Sequence, residues 1–207
     1  MVHGTARPPE PPATLPPTLE LVEILEYALA ERAPRPAERP GRASAVLLAL
    51  FDTPSGPQML LTKRSTDLNH HPGQISLPGG RPEPLDSDLA ATALRETHEE
   101  IAIDPTQIRL LGQLDDMHTV ATDFVITPYV GLITGAFRAV PNLSEVSSVI
   151  EVPVIDVLRA DVRLPPNPGR LEVRYPLAGE DVWGATAHIL RGFARIARFA
   201  LAGPPGG

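Results

Sequence analysis

A chain of 207 residues, 43% hydrophobic and without any apolar run of 18 residues, has the length of one domain with tails and excludes a helical membrane span. It contains no cysteine, which excludes disulfides, thiolate metal sites and cysteine nucleophiles. Its net charge of −7 lacks the broad positive field of extended nucleic-acid binding; it reads first as a charge that keeps the protein in solution, and it leaves room for a small anionic ligand where a few cations gather.

The first twelve residues lack the apolar core of a secretory signal, and a cytoplasmic location is expected. Residues 1–17 are proline-rich without apolar periodicity, which predicts a disordered or loosely attached arm. Thr18 then precedes Leu19, Leu21, Val22, Leu25 and Leu29, with Glu20, Glu23 and Glu26 between them. That spacing predicts an amphipathic helix with Thr18 as its cap, stopped by Pro34 and followed by a linker to residue 42. The continuous apolar run 43–51 predicts a buried strand, and 58–62 a second strand paired with it as a hairpin. Residues 63–81 read as a long loop with one short strand near 74–77. A helix follows at 86–101, then strands at 108–114 and 124–133, a mixed segment, a short strand at 172–175 and a helix from about 183 to 201. The expected organisation is an α/β domain over 43–201, an extra N-terminal helix with linker over 18–42, and flexible ends at 1–17 and 202–207. Nothing in the pattern sets an oligomeric state.

The helix at 86–101 carries the chemistry. Offsets of three and four place Glu96, Glu99 and Glu100 on one face, while Ala90, Ala93, Leu94, Thr97 and Ile101 form another that can pack on a sheet. Three carboxylates in one turn repel one another, and two lie where the helix dipole disfavours anions. A hard divalent cation such as Mg²⁺ or Mn²⁺ suits such an oxygen-only set, with Arg95 orienting the carboxylates. The competing reading is a solvated acidic face. Just upstream, Pro78-Gly79-Gly80 forms a turn whose backbone can approach a ligand and offer N–H groups to phosphate oxygens. Anion donors and a cation site in one short segment are what cleavage of a phosphoanhydride needs.

With these residues in place, the stretch 80–103 resembles the Nudix box. Gly80 is followed by five residues and Asp86, then by eight residues and Arg95-Glu96, with Thr97, His98, Glu99, Glu100, Ile101, Ala102 and Ile103 completing it. Asp86 stands for Glu, the spacer has one extra residue, Thr97 replaces an aliphatic and Ala102 replaces Gly; the catalytic Arg95-Glu96 and Glu99-Glu100 are intact. If position 102 needs a left-handed backbone, alanine there costs roughly 1 kcal/mol. The resemblance implies the Nudix fold, an α/β/α sandwich around a mixed β-sheet. Upstream, Leu60-Leu61-Thr62-Lys63-Arg64-Ser65, Leu68, His71, Gly73-Gln74-Ile75 and Leu77-Pro78-Gly79-Gly80 resemble the coenzyme A pyrophosphatase branch, as do the spacer insertion, Thr92 to Glu96, Val152-Pro153 and Trp183 to Ala187. Asn69 stands where that branch has Arg, and Leu77 where it often has Phe.

The resemblance implies hydrolysis of coenzyme A, or a derivative, to 4′-phosphopantetheine and adenosine 3′,5′-bisphosphate. Glu96, Glu100 and Glu99 would hold Mg²⁺ or Mn²⁺, and Glu99 either shares the metal or deprotonates water. Arg64, Lys63, His71, Gly79 and Gly80 are the candidate substrate contacts, with Lys63 equally readable as a solvent charge. Glu145 is the candidate distal acid, with an ordinary loop acid as its rival. Glu83 could reach the metal through water; Asp86 and Asp88 are expected to cap the helix, and His98 and Trp183 to pack. Other nucleoside diphosphate derivatives (ADP-ribose, NADH, a damaged nucleoside triphosphate) are the alternative substrates. A non-catalytic nucleotide-binding regulator is the alternative class.

Overall fold

The computed structural model describes residues 7–66, 73–119, 122–160, 162 and 173–203. Helix α1 (Thr18–Ala30) opens the fold and buries Leu21, Val22, Leu25 and Leu29. Thr18 lies inside the helix rather than capping it: Pro17 takes the cap position with no side-chain bond, and the Thr18 hydroxyl donates to Asp52. Leu19 is 71% exposed, because two helical steps from Leu21 turn it about 200° away from the buried stripe. The arm also departs from expectation in its described part. Arg159 Nε and Nη2 donate to the Pro12 carbonyl at 3.2 and 3.1 Å, Nη2 also reaches the Ala13 carbonyl, and Leu15 packs against the core. The stretch from Pro12 to Leu15 therefore touches the body.

Strands β1 (Arg42–Phe51) and β2 (Gln58–Arg64) form the expected hairpin, with Leu50 opposite Met59. Two short strands follow, β3 (Ile75–Ser76) on β2 and β4 (Gly79–Gly80) on β1. Then come α2 (Leu89–Ile101), β5 (Ile108–Gln113), β6 (Met117–Thr119), β7 (Phe124–Ile133), β8 (Val146–Pro153) and α3 (Val154–Arg159). A hairpin of β9 (Arg174–Leu177) and β10 (Glu180–Trp183) leads into α4 (Gly184–Leu201). The main sheet runs β3-β2-β1-β7-β5, with β8 on β2, β6 on β7, and β1 parallel to β7 in an otherwise antiparallel set.

Successive residues of β1 serve opposite faces, which explains its unbroken apolar run. Leu48 and Leu50 join Leu25, Met59, Val157 and Phe193 under α1, α3 and α4. Ala45, Leu47 and Ala49 join Ala93, Ile101 and Ile103 under α2. The result is an α/β/α sandwich around a mixed sheet, with the N-terminal helix integrated into one outer layer. Truncating a fully buried side chain such as Leu25 to Ala costs about 2–5 kcal/mol. No helix among the described residues is long and apolar enough to cross a membrane.

Candidate active site

Helix α2 begins at Leu89, three residues later than the sequence suggests, because Asp88 caps it by accepting from Ala91 N at 2.8 Å. Asp86 does different work from the expected capping. It accepts from Arg95 Nε at 3.0 Å and Nη2 at 3.1 Å, from the Thr92 hydroxyl at 2.9 Å and from Glu83 N at 2.8 Å. The Arg95 guanidinium, and then the Glu83 N–H, hold the Asp86 carboxyl down at about 2. Arg95 Nη1 donates to Glu99 Oε2 at 2.7 Å, and Nη2, shared with Asp86, also lies 2.8 Å from the Arg81 carbonyl and 3.1 Å from Glu96 Oε1. Arg95 thus ties the entry loop to two carboxylates of the helix, and the bond to Asp86 first of all keeps its guanidinium charged. The helix ends on Ala102 at φ 58° and ψ 30°, a left-handed cap without glycine.

Within Pro78-Gly79-Gly80 the two glycines form a strand on β1 rather than a free loop: Gly79 pairs with Val46 and Gly80 with Ala45, and the Ser44 hydroxyl donates to the Gly80 carbonyl at 2.8 Å. Backbone contact requires glycine at 79, while a side chain at 80 would displace the Glu96 carboxylate. A Cβ on Gly79 would lie 2.2 Å from the Ala45 carbonyl oxygen, and one on Gly80 would lie 2.3 Å from Glu96 Oε1. This seats the Gly79–Gly80 backbone directly against α2. The Gly79 N–H is turned to Glu100, whose charged form it favours.

A cavity of about 620 Å³ opens beside this contact. Glu96, Glu100, Glu145 and Glu83 line it with Arg64, Gly79 and Gly80. Glu145 arrives there because Asn142 N donates to the Glu100 carbonyl at 2.8 Å and Ser65 N to the Glu145 carbonyl at 2.8 Å, stitching its segment to α2 and β2. Burial raises the Glu96 carboxyl, against the pull of Arg95. Burial also pushes Glu100 up to about 8, the negative charges of Glu96 and Glu145 add to it, and Arg64 opposes it. Glu100 Oε2 is buried with no hydrogen-bond partner.

Two expected site residues, Lys63 and Glu99, stand apart from the cavity. Lys63 Nζ makes an ion pair with Glu180 at 2.7 Å, because neighbouring strand residues point oppositely and Arg64 takes the inward side. Glu99 is 51% exposed and engaged by Arg95, so it does not line the cavity beside Glu96 and Glu100. His71 lies outside the described residues. His98 is exposed and Trp183 half-buried, where packing was expected for both. Ser44, Arg81, Thr119, Thr122, Phe124 and Ile126 also line the cavity and were not singled out by sequence.

The donors fit a hard divalent cation. Glu100 offers a buried oxygen without a partner, and Glu96 lies one turn away on the same face. Among the described residues no three acidic or imidazole side chains form a complete ligand set. Two carboxylates completed by waters and substrate phosphates are the usual arrangement for Mg²⁺.

The NUDIX domain family model matches residues 41–167. A protein of Pectobacterium atrosepticum, named uncharacterized Nudix hydrolase NudL, is 37% identical over 158 residues, covering 74% of this chain and 81% of its own. The protein of the same name from Yersinia enterocolitica is 37% identical over 73% of this chain and 80% of its own. In fold, a MutT/nudix family protein from Enterococcus faecalis aligns with a TM-score of 0.52 over 85% of this chain and 69% of its own, at 16% identity.

Proposed function

This chain belongs to the Nudix hydrolase family and is a hydrolase of diphosphate linkages; we propose that its substrate is coenzyme A or a close derivative, cut to 4′-phosphopantetheine and adenosine 3′,5′-bisphosphate. The observation that carries the reading is that the 60–65 motif, run along β2, delivers Arg64 into the cavity that holds Glu96, Glu100 and Glu145. Arg64 faces the diphosphate as an anion-binding group, with Gly79 and Gly80 forming the wall beside it.

Glu96 and Glu100 would hold the divalent cation, Mg²⁺ or Mn²⁺. When bound, such a cation neutralises phosphate charge and makes a coordinated water more acidic. Arg95, fixed by Asp86, holds Glu96 in position and occupies Glu99. Glu145, inside the cavity, takes the proton of the attacking water. The water oxygen bonds to phosphorus, the bridging P–O bond breaks, and its electron pair leaves with the departing phosphate. Glu99 is the second candidate for the proton, since releasing Arg95 would free it.

Incubation with Mg²⁺ or Mn²⁺ and coenzyme A, followed by mass analysis, should return the two named products in equal amounts. Intact coenzyme A beside cleaved ADP-ribose or NADH would reject the substrate and leave the family chemistry standing.

A further inference from the structure

The cavity is lined by groups of two kinds: Arg64, at the end of β2, and the carboxylates are charged, whereas Thr119, Thr122, Phe124 and Ile126, from the β6–β7 hairpin, are neutral. In the sheet β1 lies between β2 and β7. Phe124 opens β7 and is half-buried. The Arg42 guanidinium sits over its ring at 4.2 Å from the centroid, and Arg42 Nη2 is anchored on the Thr122 carbonyl at 2.7 Å. Phe124 lines the cavity and Arg42 does not. The start of β7 is tied to the end of β6 as well. The Thr119 and Thr122 hydroxyls lie 2.8 Å apart, and Phe124 N donates to Thr119 Oγ1 at 3.0 Å.

We propose that Phe124, backed by Arg42, is the stacking platform for the nucleobase of the substrate. The inference rests on the diphosphate-hydrolase reading and adds which end of the substrate lies where. A cation on one face draws electron density out of the ring, which favours stacking of an electron-rich purine on the other face. A flat, apolar, uncharged group suits the neutral lining contributed by β7, as the diphosphate suits Arg64. About 620 Å³ has room for both. The ring is held before ligand arrives, so little ordering cost opposes the stack.

The test is binding, which does not need turnover. Titrate the protein with adenosine 5′-monophosphate and, separately, with ribose 5-phosphate, for the native chain, Phe124→Leu and Phe124→Tyr. Phe124→Leu keeps apolar bulk and loses the ring; Phe124→Tyr keeps the ring. The expected result is about a tenfold weakening of the adenosine nucleotide in the Leu variant, restoration in the Tyr variant, and no change for the sugar phosphate. Kinetically, KM for a nucleotide substrate should rise with kcat little altered. Unchanged nucleotide affinity in Phe124→Leu, equal weakening of both ligands, or no nucleotide preference over the sugar phosphate in the native chain would overturn the platform. Those outcomes are separable from failure of the coenzyme A reading, which is judged by the products of hydrolysis.

Discussion

Replacing Glu100 by Gln should make the metal-free protein more stable while abolishing most of its activity. Burial first, and then the charges of Glu96 and Glu145, raise this carboxyl from 4.5 to about 8 in the folded protein. Between those values the folded state binds a proton that the unfolded chain has released. Stability therefore falls as pH rises through that window and levels off above about 8. From 4.5 to pH 7 the window spans about 2.5 pH units, or up to roughly 3 kcal/mol against folding. For a chain of this size that corresponds to about 6–12 °C in Tm. Glutamine keeps the shape without the charge and removes the slope. A cation bound by Glu96 and Glu100 offsets the same penalty in the native protein. Thermal unfolding of both proteins from pH 5 to pH 8 in chelator, repeated with millimolar Mg²⁺, reads the effect. The expected result is divergence with pH in chelator, the variant being the more stable at pH 8, and convergence with Mg²⁺. Parallel curves across pH, or a variant less stable than the native protein at pH 8 in chelator, would refute the reasoning.

The two glycines beside α2 should separate chemistry from folding. Gly80→Ala meets only the movable end of Glu96, so kcat should fall by at least about tenfold with Tm nearly unchanged. Gly79→Ala meets the backbone of Ala45 and Val46 at a φ of 152°, and should cost more than about 3 kcal/mol in denaturant unfolding. Ala102→Gly relieves the left-handed cap at φ 58° and should raise stability by about 1 kcal/mol without altering kcat. Deleting residues 1–17 removes the Arg159 bonds and the Leu15 contact; Tm should drop by about 4–8 °C, as for a loss of about 2 kcal/mol. An unchanged Tm would show that the arm contributes nothing.

What was readable in the sequence follows from how local each cause is. The β1 run and the period of α2 speak for themselves, because core contact on both faces of a strand or one face of a helix imposes its pattern directly. Strand β8 escaped because Ser147 and Glu151 are exposed and Ile150 only half-buried, so its pairing with β2 leaves little apolar trace. Helix α3 has six residues, too few to show a period, and β10 opens with Glu180 and Asp181. Strand β4 is two glycines, a pairing made by close approach and not by propensity. At the site, helical spacing brought Glu96 and Glu100 together, but the division between Glu99 and Glu100 depends on where Arg95 reaches. Asp86 binds Arg95 across a loop, and the Phe124 wall comes from a strand far along the chain; neither relation has a local sequence trace.

The most direct test of the central claim is kcat/KM for coenzyme A, dephospho-coenzyme A, ADP-ribose and NADH at one pH, with one divalent cation at fixed concentration and a chelator control. A site that pairs the 3′-phosphate with a cation loses binding when that group is absent. The account predicts coenzyme A first, dephospho-coenzyme A lower by a modest factor, ADP-ribose lower still, and no turnover in chelator. More efficient cleavage of ADP-ribose or NADH than of coenzyme A would contradict the substrate assignment, and full activity in chelator would contradict the metal-dependent chemistry.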